Sequence, residues 1–115
     1  MANWTRPRLL ANKKEWFSNA LDYNGPCCYM LGTGGPRGGA IRWHYVGHAG
    51  NEGKRMGQYG YDGSHLSDTI ADHLKRGWCL YYRAISCKSK KAAKTMETRF
   101  LLKFKFDWND KLNRA

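Results

Sequence analysis

The sequence predicts an α+β domain: a small three-stranded, largely antiparallel sheet flanked by helices, in the order α-β-β-α-β-α. Three observations lead there. Two short apolar runs, Cys27 to Leu31 and Ala40 to Gly47, are joined by a glycine-rich connector, the pattern of a β-hairpin. A third run, Trp78 to Ile85, carries adjacent tyrosines and lies between two stretches of helical periodicity. No regular strand–helix–strand repeat orders the chain.

Each element has its own signal. Leu10, Phe17 and Leu21 share one face of a helix over Leu9 to Leu21, closed by the turn Asn24-Gly25-Pro26. Residues 1–24 therefore read as a helical extension and 25–113 as the core of a single domain over 1–115. Gly32 to Gly39 reads as the hairpin connector and Gly47 to Gly63 as largely loop, with a short basic segment at Lys54-Arg55-Met56. Ser64 is positioned to cap a helix whose apolar residues Leu66, Ile70 and Leu74 recur every four positions, and Gly77 ends it. Ser89 opens a longer helix from Lys90 to about Lys105, followed by the tail Phe106-Asp107-Trp108-Asn109.

Composition narrows the function. The 115 residues carry 20 Lys+Arg against 9 Asp+Glu, a net charge of +11. A field of that sign on one small domain favours a polyanionic partner, most often nucleic acid. Aromatic residues make up 14% of the chain, which argues against disorder. No apolar run approaches the ~20 residues of a membrane span, so no membrane partner is expected. The first residues lack the apolar core of a secretory signal, and the expected location is cytoplasmic. Cys27, Cys28, Cys79 and Cys87 contain no Cys-x-x-Cys pair, and they read as reduced, small apolar filler.

Two glycine-rich segments suggest nucleotide binding, and both fail on spacing. Five residues separate Gly47 from Gly53 where a phosphate loop has four, and Arg55 stands where a Ser or Thr would bind Mg²⁺. Gly32 to Gly39 contains Pro36 and is followed by no helix. No nucleotide cofactor is expected.

Glu97 is one of three glutamates, and it shares a helical face with Ala93, Phe100, Leu101 and Phe104. A carboxylate in an apolar stripe is costly unless it is paired or coordinates a cation. An internal ion pair, a place at the stripe's edge and a metal-ligand role all remain open at this point. His44, Tyr45, His48, Arg55 and Tyr59 accumulate around the second strand, and each taken singly has an ordinary structural account.

In series, Cys28-Tyr29-Met30, Tyr45-Val46-Gly47, Arg55, Tyr59, Glu97 and Asn109 resemble the GIY-YIG nuclease family. Arg55 lies ten residues after Tyr45 and Asn109 twelve after Glu97, both spacings of that family. The first signature keeps only its tyrosine, and His48 stands where lysine is common. The resemblance runs from about Pro26 to Asn113. It implies a metal-dependent endonuclease acting on double-stranded DNA and leaving 5′-phosphate and 3′-hydroxyl ends. In that scheme Glu97 holds one Mg²⁺ or Mn²⁺, and Tyr29 is the general base with His48 as its neighbour. Tyr45 and Tyr59 orient water and phosphate, Arg55 offsets charge, and Asn109 hydrogen-bonds the active-site groups, Tyr45 among them.

Phosphate contacts are expected from Arg37, Arg42, Lys54, His65, Lys75, Arg76, Lys88, Lys90 and Lys91. One active site cuts one strand at a time, so a double-strand break would take a homodimer, a partner chain or two encounters. Two alternatives share the fold: a non-catalytic DNA-binding accessory module, and a toxin-like effector nuclease with a neutralising partner.

Overall fold

The computed structural model describes residues 4–12, 25–35, 38–60 and 66–109. Its centre is the expected hairpin, longer than its apolar runs suggest: β2 (Cys27–Gly35) and β3 (Gly38–Ala49) pair antiparallel. The glycines assigned to a connector continue the strands. Gly32 is held there by crowding, since an added Cβ would meet Arg42 O at 2.6 Å and the Trp43 ring at 2.7 Å.

Among the described residues the sheet has four strands in the order β1-β4-β2-β3, one more than expected. The extra strand is β1 (Arg8–Ala11), which pairs antiparallel with β4 (Cys79–Ser86). The predicted N-terminal helix is therefore corrected at its start; the remainder of that prediction, 13–24, lies outside the described residues. The physical reason is the open edge of β4, whose unpaired N–H and C=O groups a neighbouring extended segment satisfies. Thr5 continues the pairing, its N–H donating to Ala84 O (2.8 Å) while its hydroxyl accepts from Ala84 N–H (3.1 Å).

Helix α1 (Glu52–Gly60) occupies the stretch read as largely loop. Glycines at 53, 57 and 60 depress its intrinsic propensity. Burial of Met56 and Tyr59, together with an N-terminal cap in which Asn51 Oδ1 accepts from Lys54 N–H (2.9 Å), offsets that cost. Helix α2 (Ser67–Lys75) ends at Gly77, whose φ of +94° suits glycine; Ser64 lies outside the described residues. Helix α3 (Lys90–Lys103) begins at Ser89 as expected, the Ser89 hydroxyl accepting from Ala92 N–H.

The layers follow from which side chains each face buries. Tyr29, Leu31, Tyr45, Leu80 and Tyr82 pack with Met56 and Tyr59 of α1, with Ile70 and Leu74 of α2 and with Leu66 just before it. Cys28, Met30, Val46 and Ile85 form the core of the opposite face, against which Met96 and Phe100 of α3 pack. Cys27, Cys28 and Cys79 are buried and every cysteine is free, as filler would be. No helix among the described residues is long and apolar enough to cross a membrane.

An edge strand and a helix make different demands on Leu9 and Leu10. Leu9 is 37% exposed and Leu10 fully buried. Leu10→Ala should cost about 2–5 kcal/mol in urea unfolding, whereas Leu9→Ala should cost roughly 1 kcal/mol or less.

Candidate active site

The strand register brings the first site residues together. Tyr29 pairs with Gly47 across β2 and β3, and Leu31 pairs with Tyr45. The next pair is Gly32 with Trp43, so His44 is an extra residue on β3. This β-bulge breaks the period of two. It turns His44 and Tyr45 to the same face while Trp43 remains with the core of the other.

Tyr29 then lies across the main chain of Gly47. A Cβ at that position would sit 2.6 Å from Tyr29 Oη and 2.9 Å from the Tyr45 ring. The glycine of Tyr45-Val46-Gly47 is thus required by the approach of a side chain from the neighbouring strand. The Tyr29 hydroxyl is hydrogen-bonded to that of Tyr59 (2.7 Å) and accepts from Arg55 Nη1–H at 3.4 Å. Tyr59 and Arg55 are one turn apart on α1, which places both over the hairpin. The Tyr29 ring makes an edge contact with Tyr59 and a tilted one with Tyr45.

Burial sets the electrostatics. It pushes Tyr29 well above the ordinary tyrosine range, and neighbouring Tyr59 and Tyr45 push in the same direction against Arg55. Tyr45 is raised chiefly by burial, then by Tyr59 and by the charge of Glu97. Burial alone would lower the Arg55 guanidinium, but the phenols of Tyr29 and Tyr59 beside it raise it overall.

Glu97 is paired with His48, whose Nδ1 meets Oε2. Of the readings open for this carboxylate, an internal pair is therefore realised, with histidine as the partner. The expected association of His48 with Tyr29 is corrected. His48 pairs across the strands with Cys28, and alternation turns it away from the face that carries Tyr29. The charge of Glu97 is one of the influences that raise the Tyr45 pKa.

Asn109 also has a different partner from the one expected. Its Oδ1 accepts from Val46 N–H (2.9 Å) and its Nδ2–H donates to Val46 O (3.0 Å), so it grips the main chain next to Tyr45. β3 is an edge strand, and one side-chain amide satisfies both groups that Val46 turns away from β2. The segment ending at Asn109 wraps this edge: Phe106 packs in one face's core and Trp108 in the other's.

Sequence reasoning left His44, Thr33 and Asp107 out of the site, and together they hold this clamp. The Asp107 carboxylate accepts from His44 Nδ1–H (2.9 and 3.0 Å), so in the neutral tautomer Nε2 accepts from the Thr33 hydroxyl (2.8 Å). The imidazole stacks on Trp108 at 4.6 Å and 8°. Burial lowers the His44 pKa, with Asp107 opposing. A usable signal was present in the short distance from Asp107 to Asn109, since a residue that positions Asn109 needs an anchor of its own.

The predicted phosphate contacts are distributed unevenly. Lys54 and Arg55 line a cavity of about 290 Å³ with Ala49, Gly50 and Asn51, and the Lys90 stem passes Gly50. Lys88 and Lys91 are exposed beside Lys90, and Arg42 is exposed on β3. Lys75 lies at the end of α2, which packs against β4, and Arg76 follows it, paired with Asp72. Arg37 and His65 lie outside the described residues.

The sequence matches the family model for GIY-YIG domain-containing proteins over residues 38–115. The chain belongs to the GIY-YIG family. It is a nuclease-type domain, and the match takes in Tyr45-Val46-Gly47, Arg55, Tyr59, Glu97 and Asn109. The segment Cys28-Tyr29-Met30 precedes the matched span. No curated protein and no solved structure matches the chain.

Two outcomes follow for this GIY-YIG domain. Gly47→Ala should displace Tyr29 and lower Tm by several degrees, about 1–3 kcal/mol for overpacking, measured by thermal unfolding. Burial holds the His44 pKa in the fold below that of the unfolded chain, which takes up its proton near pH 6.5. Stability should therefore fall as pH drops below about 6.5 and level off once His44 itself protonates. The dependence of Tm on pH should be shallower in His44→Gln.

Proposed function

We propose that this domain is a metal-dependent DNA endonuclease, hydrolysing phosphodiester bonds to leave 5′-phosphate and 3′-hydroxyl ends. The observation that carries the reading is the Tyr29 hydroxyl, held between Tyr59 and Arg55 over Gly47. Glu97 fits a divalent cation: it is a hard oxygen donor, its side chain is 20% exposed, and His48 engages Oε2 and leaves Oε1. One carboxylate suits Mg²⁺ or Mn²⁺, which keep several waters. When bound, the ion supplies charge relief to the scissile phosphate. Among the described residues no three His, Cys, Asp or Glu gather as a metal cluster, so Glu97 would be the sole protein carboxylate in that role.

Tyr29 is the general base. Its phenolate takes a proton from the attacking water as the water oxygen bonds to phosphorus and the bond to the 3′ oxygen breaks, and the leaving 3′ oxygen takes a proton from solvent. Arg55 has two tasks, favouring that phenolate and offsetting charge on the phosphate. Tyr59 donates to Tyr29 and orients it. Tyr45 faces the same water and phosphate, with Asn109 holding the strand that carries it. His48 fixes the rotamer of Glu97, a positioning role.

Duplex DNA would meet the protein where Lys54, Arg55 and Lys90 converge, with Arg42, Lys88 and Lys91 as outer phosphate contacts. A double-strand break would need a second copy, a partner chain or a second encounter. The complete burial of Tyr29 favours one other reading, a module that binds DNA without turnover.

Supercoiled-plasmid nicking separates the two readings. Wild type should nick with Mg²⁺ and not with EDTA, and Glu97→Ala should be inactive. Tyr29→Phe should lose about 10²–10⁴-fold, the usual share of a general base. Because burial raises the Tyr29 pKa, the rate should climb about tenfold per pH unit from pH 7 to 9 and fall with acidification. Firm DNA binding without nicking under any of these conditions would favour the binding module.

A further inference from the structure

The face of the sheet opposite the tyrosine cluster carries a groove that the proposed chemistry does not use. Two cavities, of about 380 and 230 Å³, adjoin at Phe100. Trp43, Phe104 and Phe106 line the larger, and Trp4 lines the smaller. Every charged residue in either lining is a cation: Arg83 and Lys105 in one, Arg99 and Lys103 in the other. Phe104 is 56% exposed and stacks at its back on Phe100 (6.3 Å, 25°), so an aromatic surface faces solvent.

Arg83 is the most informative member. Its guanidinium lies 4.9 Å from the Trp4 ring centroid and 4.6 Å from that of Trp43. Among the described residues Nη2–H reaches the Met30 sulfur (3.2 Å), and Nε–H is buried with no hydrogen-bond partner. No carboxylate pairs with it among those residues. A desolvated cation is costly unless an anion meets it. Here the neighbouring groups are planar rings and further cations, which suits a ligand that is itself both planar and anionic.

We infer that this groove binds a single-stranded nucleic acid segment, with a base stacked on Phe104 and Trp43 and its phosphate at Arg83 and Lys105. Stacking platforms beside a cationic track are the physical basis of sequence-tolerant single-strand binding. The cavity volume lies within the range of small-ligand sites. Charge complementarity favours a nucleic acid strand over a protein, since the groove offers four cations and no acid. The groove lies across the sheet from Tyr29, on the face that also carries Glu97, and its lining residues take no part in the proposed cleavage.

Fluorescence anisotropy with a labelled oligothymidylate of about ten nucleotides, in EDTA, tests the inference without turnover. Phe104→Ala, at an exposed position, should weaken binding about tenfold while leaving inorganic polyphosphate binding and plasmid nicking unchanged. Lys105→Ala should reduce the slope of log affinity against log salt by about 0.7. Arg83→Met should weaken oligonucleotide binding further, with circular dichroism confirming its fold. Equal oligonucleotide affinity in wild type and Phe104→Ala would overturn the inference. So would parallel losses for oligothymidylate and polyphosphate, or a Phe104-dependent preference for polyglutamate, which would mark a protein-docking groove. Absence of nicking by the wild type, with oligonucleotide binding still dependent on Phe104, would count against the nuclease reading and leave this one standing.

Discussion

Tyr29 crosses the main chain of Gly47, and most of the candidate site depends on that crossing. It is possible only where the facing residue has no Cβ and only in the register that pairs β2 with β3 as observed. A slip of one residue would send Tyr29 to the face covered by α3. The bulge at His44 sets the second condition, because without the extra residue Trp43 and Tyr45 could not keep their present separation in the pairing. Once both are met, α1 needs only to place Arg55 and Tyr59 one turn apart above the hairpin.

The edge of β3 is the second constraint. An open edge next to the candidate site would expose unpaired main-chain groups to other strands. This protein covers it with its own 104–109 segment, anchored by His44, Asp107 and Trp108 and closed by the amide of Asn109. The same wrapping links the two faces. Tyr45 belongs to one core and Val46 to the other, so holding Val46 also holds the tyrosine beside it.

Charge is organised by scarcity of acid. Glu97 is taken by His48, Asp107 by His44 and Asp72 by Arg76. Glu52 is buried at the start of α1, which raises its pKa, with Arg8 opposing. The chain sets 20 lysines and arginines against nine carboxylates. Among the described residues, Lys54 and Arg55 lie beside the tyrosine cluster, and Arg83, Arg99, Lys103 and Lys105 line the aromatic groove.

The α+β class, the hairpin, α2, β4 and the start of α3 were legible in the sequence because local signals produce them: alternation, four-residue steps, a serine cap and a terminal glycine. The identities of Tyr29, Tyr45, Arg55, Tyr59, Glu97 and Asn109 were legible as an ordered series. Local reasoning failed where a distant segment made the decision. Arg8–Ala11 has the pattern of a helix start, yet β4 offers it an edge, and ladder hydrogen bonds outweigh a weak propensity. The glycine-rich α1 is helical because Met56 and Tyr59 are buried, which no window of its own sequence displays. The partners of His48 and Asn109 were likewise decided by tertiary structure. Strand alternation and the edge position of β3 determine which groups they can reach, and spacing along the chain carries no record of either.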